Sequence, residues 1–170
     1  MKQTAFKLID KLLGNPSRLS LLALDKVLTV GIPFNAPHGF RIREISDSVV
    51  ITLPNRKLNH NHLGGIHACA IATIGEFCAG LSILTHCGIS KYRIILSELS
   101  VKYTYQGRSA LEGRCRISQI DPEVLNAALL REGKHLQEMK TVVTDENQKE
   151  VAVVTTVWQL KSWDQVQTKG

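Results

Sequence analysis

Between Leu58 and Ser90 the chain carries a single Asp, Glu, Lys or Arg, and that residue is Glu76. The spacing predicts a long helix starting near His67, because Ile71, Ile74, Cys78 and Leu81 form one apolar stripe at about 100° per residue. Glu76 falls almost opposite that stripe, on the side that normally faces water. Its neighbours at helical spacing are Cys69, Ala72, Thr73, Gly80 and Ile83, all small or apolar, so this side also reads as covered. Glu is seldom buried without a partner or a task, and no charge lies within a helical turn of Glu76 to pair with it. Two explanations stand: a carboxylate satisfied by backbone donors or a distant Arg, or a catalytic carboxylate.

The residues leading into the helix bear on that choice. Asn61, Gly64 and His67 precede Glu76, and Gly64-Gly65 supplies a permissive backbone where a helix would begin. Unpaired N–H groups at such a start can polarise a carbonyl or hold an oxyanion. The spacing of Asn61, Gly64, His67 and Glu76 resembles that of the hotdog-fold acyl-CoA thioesterases of the phenylacetate-degradation type. The likeness is greatest to their uncharacterised relatives with an extra N-terminal helical segment, and it spans about residues 35–160.

The resemblance implies that Glu76 acts as nucleophile or general base. It also implies that Asn61 orients water or the acyl carbonyl, that the Ala68 N–H polarises the thioester and that His67 shapes the turn and contacts the carbonyl. Where the family usually has Gly-Gly after the His this chain has Ala68-Cys69, which keeps a backbone N–H. In the family two subunits pair and each active site lies between them. A polar residue from the second subunit often assists, for which Ser97 or Ser100 is the candidate.

At 170 residues with 44% hydrophobic composition, one domain with a substantial core is expected. Lys and Arg outnumber Asp and Glu by 21 to 15, a net charge of +6 that suits an anionic ligand. Nucleic acid is not expected, since there is no helix-turn-helix, ribonucleoprotein signature or dense basic run. Cys69, Cys78, Cys87 and Cys115 lack zinc-site spacing and read as reduced core residues of a cytoplasmic protein. His60, His62 and His67 read as a polar loop entering the helix, so no metal is expected. The N-terminus has no apolar signal region, Asp10 argues against a transit sequence, and no membrane span is expected.

In chain order, apolar spacing predicts helices over 3–13 and 17–30. They read as packed on the main body rather than as a membrane or partner anchor, because Asp10 and Asp25 interrupt their basic character. Residues 40–53 form one bent strand or a hairpin about Ser46-Asp47-Ser48, and the central helix runs to about His86. Strands follow over 92–105 and 111–117, then a helix from Asp121-Pro122 to Gly133. Two final strands cover 136–144 and 150–160. The organisation is a helical extension at 1–34, a main domain at 35–163 and a frayed tail at 164–170. The fold class is α+β: an antiparallel sheet curled around one long helix, which is the hotdog arrangement the resemblance implies. A single sheet leaves the Glu76 side of the helix open, and a second subunit is the natural cover, giving a homodimer or a dimer of dimers.

The leading functional expectation is an acyl-CoA thioesterase with no cofactor beyond the coenzyme A of its substrate. Lys102, Arg108, Arg114 and Arg116 would meet the phosphates, or are an ordinary solvated strand face. A non-catalytic acyl-CoA-binding module on the same fold is the alternative, and would not need Glu76. A hotdog dehydratase would need an Asp-x-x-x-x-His pattern that is missing around the helix.

Overall fold

The computed structural model of the chain describes residues 2–166. Two helices come first, α1 (Lys2–Gly14) and α2 (Arg18–Gly31). The break between them is chemical. Asn15-Pro16 cannot continue a helix, and Ser17 starts the next with a reciprocal cap, its Oγ accepting from Ser20 N (3.2 Å) while Ser17 N donates to Ser20 Oγ (2.6 Å). A hairpin follows, β1 (Arg41–Ile45) and β2 (Ser48–Leu53), with Ile42 opposite Ile51 and Ile45 opposite Val49.

The central helix is α3 (Ala68–Cys87), one residue from the expected bounds at each end, followed by β3 (Tyr92–Tyr103) and β4 (Leu111–Arg116). Asp121 caps α4 (Pro122–Glu132) by accepting from Glu123 N (2.9 Å) and Val124 N (3.2 Å), and Gly133 ends it in the left-handed region. The last strands are β5 (His135–Asp145) and β6 (Glu150–Ser162). Beyond them Trp163–Gln165 makes a short turn, held by Trp163 Nε1 donating to Ile89 O (2.9 Å) and by stacking of Trp163 on Phe6, and the tail expected at 164–170 starts within that turn. Residues 167–170 of that tail lie outside the described residues.

The six strands form one antiparallel sheet in the order β1-β2-β4-β5-β6-β3. Helix α3 packs across β2, β4, β5 and β6, burying Ile71, Ile74, Cys78 and Leu81 against Ile51, Cys115, Met139, Val143 and Val154. The approach is close at Gly75, where a Cβ would stand 2.3–2.7 Å from the Val154 side chain. There the buried Thr141 hydroxyl donates to Gly75 O (2.9 Å). This is the hotdog fold, a sheet wrapped around one helix with two helices added at the N-terminus. Among the described residues α3 is also the one helix long and apolar enough to cross a membrane, and it is the core helix of the domain.

The N-terminal helices complete the core. Ile9, Leu13, Leu24 and Leu28 are buried in it, α1 packs against α3, and Ile83 and Cys87 are buried in the same cluster. Asp10 ties the contact, its carboxylate accepting from Ile89 N (2.8 Å), Ser90 N (3.2 Å) and the Ser90 hydroxyl. The Glu76 side of α3, expected to be bare in a single chain, is covered at Gly80, which lies against the Trp158 ring of β6, and at Ile83, which is buried in the core cluster. It opens only towards Cys69, Ala72 and Thr73.

The two sheet edges differ. Strand β1 is short, irregular between Ile42 and Glu44, and charged at Arg41, Arg43 and Glu44, features that blunt an edge. Strand β3 runs over twelve residues and leaves Ile95, Leu99 and Tyr103 each 46% exposed.

Candidate active site

The loop entering α3 is built around Asn59, which is buried. Its Nδ2 donates to Pro54 O (2.9 Å) and His38 O (3.0 Å), and its own carbonyl accepts from His67 N (2.7 Å). Asn61 closes the next turn: its Oδ1 accepts from Leu63 N (2.9 Å) and Gly65 N (3.2 Å), and Gly64 takes the left-handed φ of 76° that the turn requires. Ile66 N then donates to Gly107 O (2.8 Å), joining this loop to the one after β3.

His67 is the N-cap of α3, its Nδ1 accepting from Cys69 N (3.0 Å). Because the cap uses Cys69 N–H, the Ala68 N–H is left as a first-turn donor with no acceptor among the described residues. Asn61 Nδ2 likewise has none. Asn61 and Ala68 both line a cleft of about 390 Å³, together with Ile66, Ile71 and the segment Tyr103–Gly107. Asn61 and Ala68 are thus brought together, while Gly64 and His67 serve the loop that positions them.

Glu76 lies two turns further along α3, outside that cleft, and is partly buried. Among the described residues it makes no ion pair and no hydrogen bond, so the structural explanation of a capped or Arg-paired carboxylate does not hold within the chain. Burial without compensation pushes its carboxyl up to about 7 from the ordinary 4.5.

The remaining sequence candidates disperse. Ser97 sits where the β3 register shifts, and its hydroxyl donates to Val157 O (2.9 Å) in its own sheet; Ser100 is exposed on the same strand. The four cations expected to meet phosphates do not form one cluster. Arg114, Val142, Val153 and Lys102 occupy one cross-strand row on the outer face, so Arg114 and Lys102 are three strand spacings, about 14 Å, apart. Arg114 is also engaged by Glu112 (3.1 Å) and Glu44 (3.8 Å), and Arg116 shares its strand. Arg108 alone is near the cleft, donating to Gln106 Oε1 from Nε (3.1 Å) and Nη2 (2.9 Å).

The sequence reading missed Tyr103 as a site residue. Its hydroxyl donates to Ala68 O (2.9 Å), fixing the first turn of α3 against β3. The alternation of Tyr103 and Tyr105 in the sequence was a signal that was present but equally read as core; in the structure β3 ends at Tyr103 and Tyr105 lies in the loop beyond it. Lys149 Nζ, 3.3 Å from the centre of the Tyr105 ring, was invisible to it because the contact joins two turns distant in sequence.

Fold and site together define a hotdog-fold domain with a helix carboxylate and a helix-start donor. The sequence pattern of the family described as Domain of unknown function (DUF4442) matches residues 23–160, and the chain belongs to that family. No curated protein matches the chain. Among solved structures, a Pseudomonas aeruginosa protein of unknown function, described as a probable thioesterase, is similar with a TM-score of 0.73 and 24% identity over 83% of this chain and 95% of that one. A thioesterase from Haemophilus influenzae is similar with a TM-score of 0.71 and 12% identity, covering 88% of this chain and 94% of its own. A mutant thioesterase from Pseudomonas aeruginosa reaches 0.69 at 14% identity, over 87% and 96%. At these identities the likeness is one of fold.

Proposed function

We propose that the protein is an acyl-CoA thioesterase working as a homodimer or a dimer of dimers, with Glu76 as general base. The observation that carries this reading is the partnerless, partly buried Glu76 carboxyl with a pKa near 7, on the same helix as a free N–H at Ala68. Such a pKa leaves a useful fraction ionised at neutral pH while keeping the group basic enough to take a proton from water. The resulting hydroxide attacks the thioester carbonyl carbon. Ala68 N–H and Asn61 Nδ2 hold the oxyanion, the C–S bond breaks as the carbonyl re-forms, and coenzyme A leaves as a thiolate that takes up the proton held on Glu76, restoring the base.

Ala68 and Glu76 are eight residues apart, about 12 Å along the helix axis and about 80° around it. Groups acting on one carbonyl need to lie within about 3–3.5 Å of the reacting atoms. A two-fold pairing resolves this by setting Ala68 and Asn61 of one subunit against Glu76 of the partner subunit. The twelve-residue edge of β3, with Ile95, Leu99 and Tyr103 exposed, and the open side of α3 around Cys69 and Thr73 support that pairing, since a long edge carrying exposed apolar groups next to an uncovered helix invites another chain. Arg108 beside the cleft is then the cation placed to meet a phosphate of coenzyme A.

The test is thiol release from short, medium, long and aromatic acyl-CoAs by the wild type and by Glu76→Gln, each checked for folding and dimer mass. Turnover by the wild type and its loss in the variant is the expected result. Tight acyl-CoA binding by a wild type that hydrolyses none of the panel would replace the thioesterase reading with an acyl-CoA-binding module.

A further inference from the structure

The only acids before Glu44 are Asp10 and Asp25, and they made the N-terminal helices read as ordinary packed helices. Both are turned to backbone donors. Asp10 accepts from Ile89 N and Ser90 N, and Asp25 Oδ1 accepts from Ile42 N (2.9 Å). With those carboxylates engaged, the outward stripe of α2 is Leu19, Leu22, Lys26 and Val30, at spacings that share one face. It is unusually bare: Leu19 is 79% exposed, Val30 81%, Leu22 52%, and Phe34 just beyond the helix 71%. Leu22, Lys26, Val30 and Arg41 line one shallow hollow of about 540 Å³ with mainly apolar walls and Asp25 at its side. Arg18 adjoins Leu19 at the start of the helix.

We infer that this face docks the protein on an anionic lipid bilayer. Large apolar side chains next to cations, on a helix lying along the surface of the domain, are what an acidic membrane interface takes up: the apolar groups enter the acyl boundary and the cations meet the headgroups. Lys26, in the middle of the stripe, reaches the headgroup level along its own methylene stem. Charge argues against a second copy of the chain here, because a two-fold contact would set Arg18, Lys26 and Arg41 against their own equivalents. The face lies on α2, which packs on α1 and on β1, at the opposite edge of the sheet from β3, and docking does not depend on any hydrolytic activity.

Flotation of the whole protein with vesicles of phosphatidylcholine alone, and of phosphatidylcholine mixed with phosphatidylglycerol, tests this. The expected result is binding to the mixed vesicles only, released by raising the salt. Lys26→Ala and Arg41→Ala should each weaken partitioning about five-fold. Leu19→Ser with Val30→Ser should weaken it further while leaving the circular dichroism spectrum and thermal midpoint unchanged, which separates loss of the surface from loss of the fold. Absence of the folded wild type from the mixed vesicles overturns the inference, as does binding that none of these variants alters. So does a solution mass that halves in Leu19→Ser with Val30→Ser, since a second copy would then be the occupant.

Discussion

Glu76→Gln keeps the shape of the side chain and removes its titration, so it isolates what burying that carboxyl costs. Burial raises the folded-state pKa to about 7 against 4.5 for the ordinary group. Folding therefore favours the protonated form: the full stability is present below about pH 4.5 and is lost as the pH rises to about 7. Integrating the difference, the wild type should lose about 1 kcal/mol by pH 5, about 2 by pH 6 and about 3 at pH 7 and above. The Gln variant loses none of this. Thermal unfolding at fixed protein concentration from pH 5 to pH 8 reads the effect directly. The gap between variant and wild type should widen to roughly 6–12 °C at pH 8, at about 2–4 °C per kcal/mol for a chain of this size. A gap that stays constant over that range would refute the claim that Glu76 is desolvated without a partner.

Three further outcomes are expected. Gly75→Ala places a methyl within 2.3–2.7 Å of Val154 and should cost about 1–3 kcal/mol in urea unfolding, since helix and sheet must move apart. Asp10→Ala leaves Ile89 N, Ser90 N and the Ser90 hydroxyl without their acceptor and should lower stability by about 1–3 kcal/mol, with amide exchange rising first at Ile89 and Ser90. For the shared site, unfolding Asn61→Ala and Glu76→Gln together and refolding the mixture should recover about a quarter of wild-type turnover, because half of randomly paired dimers are mixed and each mixed dimer holds one intact site. No recovery in a mixture shown to contain mixed dimers would place Asn61 and Glu76 in one subunit's site.

Much of the fold was legible because it rests on local chemistry and period. The 3.6-residue spacing through Ile71, Ile74, Cys78 and Leu81 located α3, and Asp121-Pro122 with Gly133 bounded α4. The alternation of Leu111, Gly113 and Cys115 against Glu112, Arg114 and Arg116 assigned the two faces of β4. The odd position of Glu76 was equally visible, since one acid in an uncharged helix needs only the helical period to be noticed. Illegible were facts that depend on which distant segments meet. Alternation put Lys102, Arg114 and Arg116 on an outward face, but only the strand order separates β3 from β4 by two intervening strands. Asp10 and Asp25 read only as interruptions of the basic character of their helices, and it is the fold that brings Ile89 and Ile42 to them.

The division has a physical basis. Helix period, capping chemistry, turn residues and the alternation of strand faces are set by interactions within a few residues, so the sequence by itself determined the elements, the apolar stripe of α3 and the isolation of Glu76 along the chain. The donor left free at Ala68, the Tyr103 contact to the first turn of α3 and the bare outer face of α2 each depend on groups far apart in sequence. Solvent exclusion and hydrogen-bond competition act through space, so only the tertiary structure decided them.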